Sequence, residues 1–297
     1  MHDNSSRLIV IMGPTASGKS ALALDLARRT GGEIISVDSM QLYRGIEIGT
    51  AQPTAAERRE IPHHLVGIYD FSQKANVYDF VNMAEEKISE IRSRGRLPIA
   101  VGGTGFYLKS MLYALDDIPG DNALRAELNQ KYDSPEQEEA LFQRLNALDP
   151  AAAQKFRQCR RRMVRALEVW LLTGQSILAL QSGASPVRRH PEAEVYRIDP
   201  DGDLLRQRIA GRARQMLASG WIEEARAAIA NGIFDSPTVW QALGYRQIAD
   251  YLANRCDYAT MEQRIITATW QFARRQRTWF AHQHPEAQII TSDTKLA

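Results

Sequence analysis

The chain has 297 residues, a formal net charge of +2, and 44% hydrophobic and 24% charged residues. That suffices for one large domain or two moderate ones around a real core, with the make-up of an ordinary soluble globular protein. No apolar run approaches the about 20 residues of a bilayer crossing, and two distant cysteines, Cys159 and Cys256, exclude a disulfide framework and a cysteine zinc site, which points to a reducing cytoplasmic setting.

Residues 8–12 form a short β-branched apolar run, the pattern of a buried parallel strand. The polar residues 1–7 ahead of it run straight into that strand, so they do not read as a signal peptide. The loop Gly13-Pro14-Thr15-Ala16-Ser17-Gly18 follows, and leucines among alanines predict a helix over 19–29 that Gly31-Gly32 stops. A second strand over 33–37 ends at Asp38, completing the β-loop-α-β opening of a doubly wound sheet. An amphipathic helix over 77–92 leads to a third strand, 97–101, which ends in Gly102-Gly103-Thr104-Gly105 before another helix.

From residue 119 to 173 every periodic segment reads as helix. Residues 183–191 read as an exposed loop, 194–198 as a returning strand, and 204–219, 222–231, 245–253 and 261–281 as helices; 288–291 suits an edge strand. The fold class expected is α/β: a P-loop NTPase-like parallel-sheet core with an inserted helical domain and C-terminal helices. The boundaries fall at residues 1–117 for the first part of the core, 118–192 for the insertion and 193–297 for the rest of the core.

Gly13-Pro14-Thr15-Ala16-Ser17-Gly18-Lys19-Ser20 matches the Walker A pattern between a strand and a helix, the context it requires. Glycines let consecutive backbone N–H groups face phosphate oxygens, the helix N-terminus and Lys19 add positive charge, and the Ser20 hydroxyl suits Mg²⁺. An ordinary kinase or ATPase takes a second metal ligand from an Asp on a later strand. Here the third strand ends in Gly-Gly-Thr, and the acid, Asp38, follows the second strand. At a strand's carboxyl end beside a P-loop, Asp38 fits a metal ligand or a general base, and equally a turn residue. Of the 37 basic residues 30 are Arg, the side chain suited to bidentate phosphate contacts, although codon bias in an Ala-rich chain gives the same count. Arg160-Arg161-Arg162 with Arg165 one turn on reads as a phosphate-contact patch or a solvated helix face, and Arg275 with its neighbours as a second patch. The adjacent pair His63-His64 points to opposite sides and reads as structural.

The P-loop, Asp38-Ser39-Met40-Gln41, Gly49-Thr50-Ala51, Ile61-Pro62-His63-His64-Leu65, Gly102-Gly103-Thr104, Arg165-Ala166-Leu167-Glu168, Gly244-Tyr245-Arg246-Gln247 and Arg275-Gln276 occur together and in order. The chain closely resembles the bacterial tRNA dimethylallyltransferases, the adenine-37 isopentenyl transferases, over essentially its whole length. The resemblance implies that the loop grips the diphosphate of dimethylallyl diphosphate with Mg²⁺ at Ser20, and that the acceptor is N6 of an adenine flipped from the tRNA anticodon loop. By position Asp38 is implied as the base, and Thr15 and Arg212 as groups that stabilise the departing diphosphate. Asp38, Ser39, Met40, Gln41 and Thr104 are implied around the nucleotide, with Gln41 reading the adenine edge. Arg160, Arg161, Arg162, Arg165, Gly244, Tyr245, Arg246 and Arg275 are implied tRNA contacts. The resemblance also implies a cytoplasmic monomer that does not engage a membrane. Trp270, Ala281, Gln52 and Ala75-Asn76 depart from the family pattern, which bears on tRNA-backbone contacts and not on the reaction. Two other readings remain: an ATP-dependent small-molecule or nucleotide kinase, which needs ATP turnover and a Walker B acid, and a nucleotide-gated RNA-binding module without chemistry.

Overall fold

A computed structural model describes residues 7–114, 118–181, 187–236 and 238–296. The chain divides into two compact units, one made of Met1–Leu112 with Arg189–Ala297 and the other of Tyr113–Arg188.

The larger unit opens with β1 (Leu8–Met12), α1 (Lys19–Thr30), β2 (Glu33–Val37), α2 (Ala55–Glu60), β3 (His63–His64), α3 (Val77–Ser93), β4 (Pro98–Gly102) and α4 (Gly105–Leu112). Every residue of β1, β2 and β4 is buried, as parallel strands covered on both faces require. Ile9, Ile11, Ile34 and Ile99 pack there with Leu22 and Leu26 of α1. Burial of these branched side chains, worth about 1.5–3 kcal/mol each, is the main force holding helix to sheet.

The smaller unit consists of α5 (Asn122–Lys131), α6 (Pro135–Leu148), α7 (Pro150–Phe156), α8 (Arg160–Thr173) and α9 (Ile177–Leu180). Its own core gathers Leu128, Leu141, Leu145, Phe156, Met163 and Leu167. Polar caps start its helices: Asp121 and Asp149 accept from first-turn amides, and Ser134 forms a capping box with Gln137. Glu168 is fully buried, receiving Arg125 Nε at 2.7 Å, Arg165 at 2.9 Å and the Asp121 backbone N–H at 2.8 Å.

The larger unit resumes with β5 (Ala193–Ile198), α10 (Gly202–Ala218), α11 (Trp221–Ala230), α12 (Tyr245–Leu252), α13 (Tyr258–Gln283) and β6 (Gln288–Ile290). Six strands form one sheet in the order β3-β2-β4-β1-β5-β6, every neighbouring pair parallel. The register aligns Met12 with Gly102 and with Arg197, and Val37 with Gly102. The loops after β1, β2 and β4 therefore leave the same edge, the carboxyl edge where ligands of such sheets bind.

Three details differ from the sequence reading. The third predicted strand lies one residue later, at Pro98–Gly102. Strand β3, only two residues long, is too short to show alternation; its His64 Nε2 lies 2.6 Å from Glu33, which Arg94 and Arg96 also engage at the amino edge of the sheet. The predicted exposed loop 183–191 contains a buried residue near its end, His190, held between Glu85 at 3.0 Å and Glu192 at 3.2 Å. Residues 182–186 of that loop lie outside the described residues.

Candidate active site

The P-loop joins β1 to α1. Gly13, Pro14 and Ser17 are buried, Thr15, Ala16, Gly18 and Lys19 are half-buried, and Ser20 is exposed. Gly18 takes φ +95, left-handed backbone open mainly to glycine, and caps α1; a Cβ there would also lie 2.8 Å from Ser292 Cβ. Lys19 Nζ donates to the Pro14 carbonyl at 3.1 Å, folding its ammonium back over the loop.

Two arginines on one face of α10, a turn apart, meet this loop. Arg212 donates to Thr15 Oγ1 at 2.8 Å, and Arg208 donates to the Ser17 carbonyl at 3.2 Å. Burial pushes the Lys19 ammonium down to about 8; Arg212 adds to the effect and Asp38 opposes it. Burial likewise lowers Arg212, again against the pull of Asp38. Cations crowded in a poorly hydrated loop form a site in which an anion is the missing partner.

Asp38 follows β2, half-buried, with Oδ1 accepting the Met40 amide at 2.9 Å. Thr104, after β4, accepts the Ser39 amide at 3.0 Å, which fastens the Asp38 loop to the neighbouring strand end. The structure thus brings Thr15, Lys19, Asp38, Ser39, Thr104 and Arg212 to one end of the sheet. Among the described residues, no group of three or more His, Cys, Asp or Glu side chains could hold a metal. A Mg²⁺ ion fits Ser20 on donor chemistry: it takes few protein oxygens and completes its shell with phosphate oxygens and water.

Beside the P-loop lies a cavity of about 60 Å³, lined by Thr15, Ala16 and Arg212 and otherwise mainly by apolar groups of Ile209, Ala213, Met216, Trp221, Leu243 and Ile265.

Gln41 was expected to read a base. Its two amide hydrogens go instead to the Thr50 and Ala51 carbonyls, at 3.0 and 2.9 Å, and its oxygen accepts from Ser36 at 2.7 Å. A half-buried amide finds its partners within the chain, so Gln41 staples the 50–51 loop. The four-arginine patch on α8 is also smaller than its sequence suggests. Arg160 donates to the Asn129 and Tyr132 carbonyls, and Arg165 to the Ile118 carbonyl; Arg161 and Arg162 are exposed. Gly244 and Tyr245 are buried, whereas Arg246 is exposed over the Trp240 ring at 4.6 Å. Arg275 is exposed on α13, in a groove that Arg274, Trp279 and His282 also line. Trp270 carries the Arg206 guanidinium over its ring at 4.6 Å.

Gln276 was not anticipated. Its oxygen accepts the Thr15 amide at 2.9 Å and its nitrogen donates to the Gly103 carbonyl at 2.8 Å, so α13 fixes the P-loop against the end of β4. A signal existed: Ala273, Gln276 and Phe280 share the buried face of α13, and a polar member of an inward stripe needs polar partners. Glu224 was missed as well; it accepts the Ile48 and Gly49 amides at 2.6 and 2.9 Å and the Tyr245 hydroxyl at 2.7 Å.

Comparison with known proteins places this geometry among relatives. The family model described as IPP transferase matches residues 41–283, and that described as isopentenyl transferase matches residues 6–63. The chain is 42% identical to a tRNA dimethylallyltransferase of Halorhodospira halophila, over 97% of this chain and 94% of that one. It is 40% identical to a protein of the same name from Geobacillus kaustophilus, over 95% and 89%. Among solved structures, the tRNA isopentenylpyrophosphate transferase of Bacillus halodurans superposes with a TM-score of 0.69 at 37% identity, covering 97% of this chain and 90% of that one. A eukaryotic dimethylallyltransferase acting on tRNA superposes with a TM-score of 0.83 at 26% identity, covering 97% and 74%.

Proposed function

The chain belongs to the IPP transferase family, and on that premise we propose that it transfers a dimethylallyl group from dimethylallyl diphosphate to N6 of adenine 37 in tRNA, releasing diphosphate. The observation that carries this reading is the pairing of a cationic P-loop, facing a carboxylate, with an apolar cavity lined by the same Thr15 and Arg212. A diphosphate joined to a short hydrocarbon needs both halves. A kinase needs a Walker B acid, and β4 runs into Gly102-Gly103-Thr104 with no acid at its tip.

In this reading the P-loop amides, Lys19, Thr15 and Arg212 bind the diphosphate and stabilise the charge it gathers as the allylic C–O bond breaks. Ser20 would hold Mg²⁺, which supplies Lewis-acid neutralisation of the leaving group. The exocyclic amine of adenine is a weak nucleophile because its lone pair is delocalised into the ring; Asp38 takes its proton as the C–N bond forms. Ser39, Met40 and Thr104 flank the flipped base, with Gln41 holding the loop behind them. Arg161, Arg162, Arg246 and Arg275, all exposed, offer the guanidinium groups for tRNA phosphates, while Arg160, Arg165, Gly244 and Tyr245 shape the surfaces that present them. The reaction takes place in the cytoplasm on a monomer. Among the described residues no helix is long and apolar enough to cross a membrane.

The direct test incubates the protein with Mg²⁺, unmodified tRNA and radiolabelled dimethylallyl diphosphate, with and without ATP. Label entering tRNA without ATP is the expected result; ATP consumption with no label would return the P-loop to a nucleotide.

Lys19 adds a pH dependence to donor binding. Its free-state value of about 8 rises when a diphosphate sits beside it, so binding takes up a proton at higher pH. Donor affinity is full below pH about 8 and falls as pH rises through it, by at most about tenfold per unit. Donor KM measured from pH 6.5 to 9.5 checks this; a flat profile would mean that Lys19 does not touch the donor.

A further inference from the structure

We propose that Trp221 and Met216 form a wall that limits the transferred group to five carbons, an inference that rests on the prenyl-transfer reading above. The cavity beside the P-loop has charge at one end only. Its hydroxyls are already engaged: Thr15 Oγ1 accepts from Arg212, and Thr269 Oγ1 donates to the Ile265 carbonyl at 2.8 Å. What remains for a ligand tail is a mainly carbon lining to which the Trp221 indole and Met216 contribute.

That indole has nowhere to retreat. Trp221 is 2% exposed and is pressed between two backbones: a Cβ on Gly49 would lie 2.3 Å from its Nε1, and one on Gly244 2.2 Å from its Cζ2. Tyr245 meets it edge-on, with ring centroids 6.1 Å apart and planes at 79°. Glu224 holds both flanks, binding the Tyr245 hydroxyl and the Ile48 and Gly49 amides. Moving the ring means moving two chain segments and breaking those bonds. Met216, half-buried on α10, is the adaptable part of the wall. In this reading the five-carbon tail lies ahead of the wall, and a second isoprene unit would have to displace it. The chemistry is the same for either length: the N6–C1 bond forms, the C1–O bond breaks with its electron pair leaving on diphosphate, and the N6 proton passes to Asp38.

The test measures kcat/KM for dimethylallyl and geranyl diphosphate with unmodified tRNA, in the wild type, Met216→Ala and Trp221→Ala, each checked for folding by thermal melting. The wild type is expected to favour the five-carbon donor by about 100-fold or more, and truncation of either residue to raise relative use of geranyl diphosphate about tenfold. A wild type that uses both donors equally overturns the wall, as does a folded Met216→Ala whose donor ratio moves less than about threefold. Met216→Ala keeps the test decisive if Trp221→Ala does not fold. A wild type that transfers neither group would sink the prenyl-transfer reading and the wall with it; transfer of five carbons with an unmoved ratio sinks the wall alone.

Discussion

Asp38→Asn is expected to lower prenyl transfer by about 10²–10⁴-fold while leaving both substrates bound, the range typical of a lost general base. Asparagine is more informative than alanine at this position. Asp38 Oδ1 accepts the Met40 amide, a turn that an asparagine oxygen can still make and an alanine cannot. The amide keeps the loop while removing the carboxylate's charge and its ability to take a proton. Both variants weaken the field on Lys19, whose charged form Asp38 favours, but alanine adds a backbone disturbance beside Thr104. Single-turnover transfer measured with tRNA and donor each saturating separates chemistry from binding. Near-normal turnover in Asp38→Asn would remove the carboxylate from the role of base, whatever alanine does.

The second large effect is on stability and lies in the helical unit. Glu168→Ala is expected to destabilise that unit by about 3 kcal/mol, at the low end for breaking a buried ion pair. The low end applies because Arg125 and Arg165 remain partly hydrated, with 38% and 27% of their side chains exposed. The Asp121 amide also loses its acceptor at the start of α5. Burial pushes the Glu168 carboxyl up, but Arg125, the Asp121 amide and Arg165 together outweigh it and hold it below the ordinary value of 4.5. Its contribution is therefore complete above pH about 4.5 and is lost as pH falls through the lowered folded-state value. Thermal melts at pH 7 and pH 3.5 should show the variant and the wild type far apart at neutral pH and converging in acid. An equal gap at both would mean that the cluster contributes shape and not charge.

Strands β1, β2 and β4 were readable because each is a mainly apolar, buried run bounded by glycine or a polar turn, and the P-loop because its spacing encodes backbone geometry. The carboxyl-edge position of Asp38 and Thr104 followed from the strand ends alone. Side-chain partners did not. Gln41 offers the same amide to an adenine or to two carbonyls, and only the path of residues 50–51 decides between them. Arg160 and Arg165 read as surface charge until the carbonyls of Tyr132 and Ile118 stand beside them. Gln276 contacts a loop 261 residues away, a distance over which no local pattern speaks.

That last contact bears on the order in which the protein can come into being. On a ribosome, β1 and the P-loop emerge first, but β1 lies between β4 and β5, and Thr15 waits for Gln276. At about 5–20 residues per second, the loop emerges on the order of ten to fifty seconds before the helix that locks it. Until β5 follows, the most apolar strand of the sheet has at least one flank open. Chaperone demand should therefore concentrate on the half-made chain, and a ribosome stalled before α13 would leave a P-loop with its strand and helix but no clamp.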